Sequence, residues 1–223
     1  PPDLVEAYVM GADDVGGPSG PGPFATNVWP DGQPGFRPAL WGYYCAARSL
    51  SEQLCRVAAM ALGVDGGFFD AALHAANVTM RCNWYHRRSD EQELAEGQMA
   101  LGAHTDYGIL TVLTADPMPG LQVVDADGRW RDVLPLADGF VINVGDATAV
   151  WTNDEWRSTI HRVLPSATPG GRVRRSIALF QDGNVETVME CLPTCCSAER
   201  PAKYAPISLG RHVQDKIRAG RTS

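Results

Sequence analysis

The spacing of apolar residues changes character twice along the chain. Between residues 38 and 62, Leu40, Tyr43, Tyr44, Ala47, Leu50, Leu54, Val57, Ala58 and Ala61 recur at steps of three and four, the spacing of one buried helical face. Gly63 supplies a stop, and FFDAALHA after the GVDGG turn predicts a second, short helix. From Asn77 the period falls to two and stays there for about a hundred residues. VTMRCNWY, GILTVLT, GLQVV, RWRDVL, GFVINVG, TIHRVL and RRSIALF are short apolar segments separated by turn signals such as ADPMPG, DADG and LADG. Many short strands at regular spacing predict a sandwich or barrel, with Asp127-Gly128 turning a hairpin before Trp130. Residues 11–35 are too rich in Gly and Pro for anything but an irregular connection, and 207–218 predict a terminal helix. The expected organisation is a helical lead-in over 1–76, a β core over 77–190 and a tail with a helix over 191–223.

Composition narrows the classes. With 223 residues, 44% hydrophobic and 20% charged, the chain can bury one sizeable core and not two. A net charge of −7 argues against a phosphate-seeking surface, so no nucleic-acid partner is expected. No apolar run approaches the roughly 20 residues that a membrane-spanning helix needs, and PPDLVEAYVM lacks the layout of a signal peptide. A cytoplasmic monomer is expected, with no membrane partner. Cys45, Cys55, Cys82, Cys191, Cys195 and Cys196 are too sparse for a disulfide scaffold and are expected to be reduced thiols. The chain opens on two prolines without Met, so it is expected to begin inside a longer product.

Polar pairs at i and i+2 in apolar strands enter the core together or leave it together. Three occur: Asn83 and Tyr85, His104 and Asp106, Arg174 and Ser176. With 5 histidines and 26 acidic residues, about 0.6 His-x-Asp/Glu matches arise by chance, so His104-Thr105-Asp106 alone says little. His161, in the β-favouring STIHRVLP, is its candidate partner. Two imidazoles and one carboxylate form the facial triad of non-haem Fe(II) oxygenases, which leaves positions open for a chelating co-substrate and dioxygen. His161 alone would read as a packed or turn histidine. Arg174, followed at i+2 by Ser176, tips the balance: a planar fork of donors plus a hydroxyl suits one carboxylate, and an inward arginine without an anion would be costly. The alternative is a solvated Arg174 with Arg175 turned inward.

Taken in order, His104-Thr105-Asp106, VINVGD, WTNDEWRSTIHRVLP with His161, and Arg174-x-Ser176 resemble the Fe(II)- and 2-oxoglutarate-dependent dioxygenases, in the branch of isopenicillin N synthase. NVWPDGQPGFRPAL with its long helix is similar to that family's lead-in, and RCNWY to its Asn-x-Tyr strand. The resemblance implies a mainly β fold with flanking helices, a double-stranded β-helix (jelly roll, cupin-like). It implies Fe(II) on His104, Asp106 and His161. It also implies 2-oxoglutarate with its distal carboxylate on Arg174 and Ser176, Tyr85 as a further donor, and Asn83 towards the metal end. The interval after His161 is longer than is common in the family, which leaves Arg172 as an alternative to Arg174; only Arg174 has Ser at i+2.

The implied activity uses dioxygen and 2-oxoglutarate to hydroxylate, desaturate or cyclise a small metabolite, releasing succinate and CO2. A carboxylate at Asp106 fills the position a halide would take, which disfavours halogenation. Phe180, Tyr107 and Trp41 are candidate substrate-pocket residues, with core packing as the simpler reading. Two alternatives stay open: an oxidase like isopenicillin N synthase or aminocyclopropane carboxylate oxidase that consumes no 2-oxoglutarate, and a non-catalytic jelly-roll binding module.

Overall fold

A computed structural model describes residues 1–12, 27–86, 94–165 and 173–220. The strands form two antiparallel sheets, and from β2 onward the chain winds between them. One sheet has the order β1 (Val5–Met10), β2 (Asn77–Tyr85), β9 (Arg174–Gly183), β4 (Leu110–Ala115), β7 (Val141–Val144). The other runs β3 (Leu101–His104), β8 (His161–Val163), β5 (Leu121–Val124), β6 (Trp130–Asp132). A small third sheet pairs β10 (Val188–Met189) with β11 (Ile207–Ser208). The alternation of consecutive strands between facing sheets is the winding of a double-stranded β-helix, a jelly roll.

The long helix α1 spans Phe36–Ala61 and packs on the outer face of the five-stranded sheet. Its contact line is rotated from the apolar stripe of the sequence: Tyr44, Ala47, Ser51, Cys55 and Ala59 are buried, whereas Val57 is 54% exposed. Small side chains let the helix approach the sheet closely, and two hydrogen bonds fix it there: Tyr44 Oη donates to the Val78 carbonyl (3.0 Å), and Ser51 Oγ to Gln181 Oε1 (3.1 Å). Three further helices follow, α2 (Asp70–Leu73), α3 (Asp146–Trp151) and α4 (Leu209–Gly220). Periodicity does not announce β1, β3, β10, β11 or α3, each of which is two to six residues long. Of the predicted irregular stretch 11–35, residues 13–26 lie outside the described residues.

Period-two alternation gives the central strands two different faces. Val78 and Met80 of β2, Leu179 of β9 and Val112 of β4 turn outward into the cluster under α1. The same strands turn Thr79, Arg81, Asn83 and Tyr85, then Arg174, Ser176, Ala178 and Phe180, then Thr111 and Leu113, into the barrel. The interior is therefore polar along most of its length. An apolar plug of Tyr85, Ala100, Leu121 and Val163 closes the end beside Arg174.

Where β7 passes into α3 the backbone at Gly145 lies against the 106–109 segment. A Cβ there would overlap the Gly108 carbonyl oxygen and stand 3.0 Å from the Asp106 carbonyl oxygen. Gly145→Ala should lower stability in urea unfolding by about 3 kcal/mol or more, the upper range for overpacking. Gly42→Ala, on α1 with nothing within 4 Å of the added methyl, should instead raise it by about 0.5–1 kcal/mol.

Candidate metal centre

His104 and His161 are direct cross-strand partners on β3 and β8, so pleating turns both rings to one side, with centroids 4.2 Å apart. Asp106 is not brought in by alternation, because β3 ends at His104. A turn carries it there, and the turn is pinned from α3: Asp146 N–H donates to the Asp106 carbonyl (2.8 Å) and Ala147 N–H to that of Gly108 (3.1 Å). Ile109 N–H donates to the Gln181 carbonyl of β9 (2.8 Å). The result puts Asp106 Oδ1 3.9 Å from His104 Nε2 and 3.7 Å from His161 Nε2, with one ligand atom from each residue lying within 4.8 Å of the others.

Each of the three groups is oriented by a hydrogen bond on its far side. His104 Nδ1 lies 2.8 Å from the Gly102 carbonyl and His161 Nδ1 3.0 Å from that of Thr159. A carbonyl oxygen only accepts, so both Nδ1 atoms carry the proton and both Nε2 lone pairs point into the site. Burial, helped by the neighbouring His161, holds the His104 pKa below its ordinary value against the opposing pull of Gly102 and Asp106, which favours the neutral ligand form. Asp106 is 6% exposed, and its Oδ2 accepts from Thr111 Oγ1 (2.6 Å) and Asn143 Nδ2 (2.7 Å), which leaves Oδ1 for the histidines.

A further support reaches the loop from the tail. Lys216 of α4 pairs with Asp146 Oδ2 at 2.8 Å, and the same oxygen accepts from Thr105 Oγ1 (3.1 Å), the residue between His104 and Asp106. A cleft of about 900 Å³ opens beside this pairing, lined by Asp146, Ser158, Lys203, Tyr204 and Lys216. Ser158 Oγ lies 3.4 Å from the Asp106 carbonyl oxygen. The sequence assigns no role to Thr105, Thr111, Asn143, Asp146 or Lys216, although Asn143 and Asp146 lie in VINVGD. The signal available is a polar residue at an inward register in otherwise apolar GILTVLT and FVINVG.

Four other candidate residues form one cluster on the paired strands β2 and β9, where Tyr85 faces Arg174 and Asn83 faces Ser176. Asn83 Nδ2 donates to Ser176 Oγ (3.2 Å), Ser176 Oγ stands 3.5 Å from Tyr85 Oη, and the Arg174 guanidinium carbon is 5.0 Å from the Tyr85 ring centroid. Arg174 is 6% exposed, its pKa is lowered by burial, and its Nε and Nη1 have no partner. Enclosed guanidinium donors without an acceptor, beside a hydroxyl and a phenol, fit a carboxylate. Arg175 points outward and pairs with Asp116 (3.1 Å), so the alternative of an inward Arg175 is corrected; Arg172 lies outside the described residues. Phe180 faces the barrel interior opposite Thr79 and Thr111, and Tyr107 follows Asp106 half-buried. Trp41 is a correction: it stacks on Tyr44 (5.2 Å, 18°) in the cluster under α1, outside the barrel.

Comparison with known proteins decides the family. Residues 76–183 match the 2OG-Fe(II) oxygenase superfamily. A full-length protein of Neurospora crassa, solved in complex with alpha-KG and 5-formyluracil, superposes with a TM-score of 0.84 at 31% identity, over 98% of this chain and 70% of that one. The chain belongs to the 2OG-Fe(II) oxygenase superfamily. Superfamily relatives include the 2-oxoglutarate-Fe(II) type oxidoreductase hxnY of Emericella nidulans, 39% identical over 90% of this chain and 55% of its own length. Another is the validamycin A dioxygenase of Streptomyces hygroscopicus, 30% identical over 96% of this chain and 60% of its own. The chain thus spans little more than half the length of the curated superfamily members it matches.

Removing a donor from the far side of a ligand typically weakens metal binding about 10–100-fold. Thr111→Val and Asn143→Ala should each do so in a competitive Fe(II) or Zn(II) titration, with the two histidines left in place. Lys216→Met, which acts one contact further out, should weaken binding by less than either, and Lys216→Arg should restore it.

Proposed function

We propose that this chain carries the active site of a non-haem Fe(II)- and 2-oxoglutarate-dependent oxygenase that hydroxylates, desaturates or cyclises a small organic metabolite with dioxygen, releasing succinate and CO2. The observation that carries the proposal is the sharing of one barrel interior by the His104, Asp106 and His161 ligand set and an Arg174 guanidinium whose Nε and Nη1 have no partner. Three N and O ligands on one side of an ion suit ferrous iron. Bound there, iron would supply the means to couple oxidative decarboxylation of 2-oxoglutarate to oxidation of a second molecule.

The chain's own residues bind, orient and shield. Arg174 and Ser176 take the distal carboxylate of 2-oxoglutarate, with Tyr85 as a further donor. The plug of Ala100, Leu121 and Val163 keeps water from that ion pair, which strengthens it. Asn83 donates to Ser176, and its enclosed Oδ1 has no partner. Substrate enters on the side of Phe180 and Tyr107. The Neurospora crassa neighbours are described as complexes with alpha-KG and with thymine or 5-formyluracil, which supports a small-molecule substrate here.

No helix among the described residues is long and apolar enough to cross a membrane. The acidic net charge and the free thiols support a monomer acting in the cytoplasm without nucleic-acid or membrane partners.

Anaerobic titration of the purified chain with Fe(II) and 2-oxoglutarate should develop the weak visible charge-transfer band of the chelate. His161→Ala should abolish the band. Arg174→Gln should raise the Kd for 2-oxoglutarate at least about 30-fold, the lower range for breaking an enclosed charge pair. Oxygen uptake with substrate but without succinate would instead identify an oxidase of the isopenicillin N synthase kind.

A further inference from the structure

The barrel holds a second guanidinium that the metal and co-substrate leave unused. Arg81 lies on the inward face of β2 between Thr79 and Asn83, opposite Ala178 of β9. Its Nε is enclosed and has no hydrogen-bond partner, and no described carboxylate lies within ion-pair distance of it. None of the described residues forms an ion pair or a hydrogen bond with it. Asp106 is taken by Thr111 and Asn143 and faces the histidines. Asp182, an inward acid of β9, accepts from Asn77 Nδ2 (3.2 Å) and stands 3.5 Å from Thr79 Oγ1.

The strand ladder sets Arg81 apart from the site of the distal carboxylate. Arg174 pairs with Tyr85 and Arg81 with Ala178, four rungs away, about 13 Å along the strand. A five-carbon dicarboxylate has four carbon–carbon bonds of about 1.5 Å, so it spans less than half of that. Anchored at Arg174, it does not span the backbone distance between the two rungs, and the charge of Arg81 acts on His104 at the metal end.

The neighbours of Arg81 describe the rest of the ligand. Ala178 across the ladder carries only a methyl group. Phe180, one inward position further on, places an aromatic side chain on the same face of the sheet. We propose that Arg81 anchors the substrate, and that the substrate is a small planar carboxylate whose anionic end meets this guanidinium while its ring lies against Phe180.

The inference rests on the oxygenase reading above, and the test separates the two. The chain loaded anaerobically with Fe(II) and 2-oxoglutarate is titrated by calorimetry with benzoate and with benzamide, which share a ring and differ in the anion. Wild type should bind benzoate at least tenfold more tightly than benzamide. Arg81→Gln should erase that preference while its Kd for 2-oxoglutarate stays within threefold of wild type, and Arg81→Lys should keep part of it. Equal binding of the two probes by wild type, or a benzoate preference that survives Arg81→Gln, overturns the proposal. A tenfold or greater loss of 2-oxoglutarate affinity in Arg81→Gln also overturns it, because the guanidinium then serves the metal-end carboxylate of the co-substrate. Should Arg81→Gln not fold, an undiminished preference in Arg81→Lys overturns it. Failure of wild type to form the charge-transfer band strikes the oxygenase reading alone, since the benzoate comparison is repeated on metal-free protein.

Discussion

The division of labour between the two oxygens of Asp106 is the constraint from which the rest of the site follows. Thr111 and Asn143 hold one oxygen from the five-stranded sheet, and the other is left to face two imidazoles carried by the four-stranded sheet. A hydrogen bond to a charged acceptor is worth about 1.5–3 kcal/mol, so the two donors together stabilise the enclosed carboxylate. The same carboxylate also ties the two sheets at the mouth of the barrel. Ligand geometry and the relative position of the sheets are therefore one problem with one solution.

A polar barrel interior is an expensive way to build a domain, and the apolar burial that compensates lies elsewhere. The core is displaced to the outer face of the five-stranded sheet, where α1 sits on Val78, Met80, Val112 and Leu179. Small residues at the contact, Ala47, Ser51, Cys55 and Ala59, bring the helix close without intruding between strands. The interior is then free to be lined by Asn83, Tyr85, Arg174 and Ser176, whose mutual hydrogen bonds satisfy some of their polar atoms and leave others pointed at an incoming anion.

Much of this was legible in the sequence because period-two alternation is strict along a strand. Asn83 with Tyr85, and Arg174 with Ser176, could each be placed on a shared face from spacing alone, and the registry between β2 and β9 turns both faces inward and makes them one cluster. The same rule puts Arg81 on that face, two residues before Asn83, although the sequence offered no reason to single it out. Asp106 was found through chemistry, since a turn and not a strand delivers it. Thr111, Asn143, Asp146 and Lys216 could not be assigned, because what they do depends on which strand or helix lies beside them. Trp41 was misplaced for a related reason: helical spacing says that a face is buried, not against which side of a sheet. The short elements β1, β3 and α3 are made by pairing and by loop closure, and carry too few residues to show a period.

The two imidazoles are aimed by the same device, a proton on Nδ1 given to the carbonyl two residues earlier in the chain. Both rings are thus committed before any ion arrives, and so is the oxygen opposite them. Such rigidity speeds loading but does little to choose among divalent ions, whose strength of attachment to a nitrogen and oxygen set rises from manganese through iron and cobalt to nickel and copper. Which of them fills the protein is consequently a matter of supply: iron prevails only where its competitors are kept scarce, and material purified from other surroundings will carry zinc or nickel in its place.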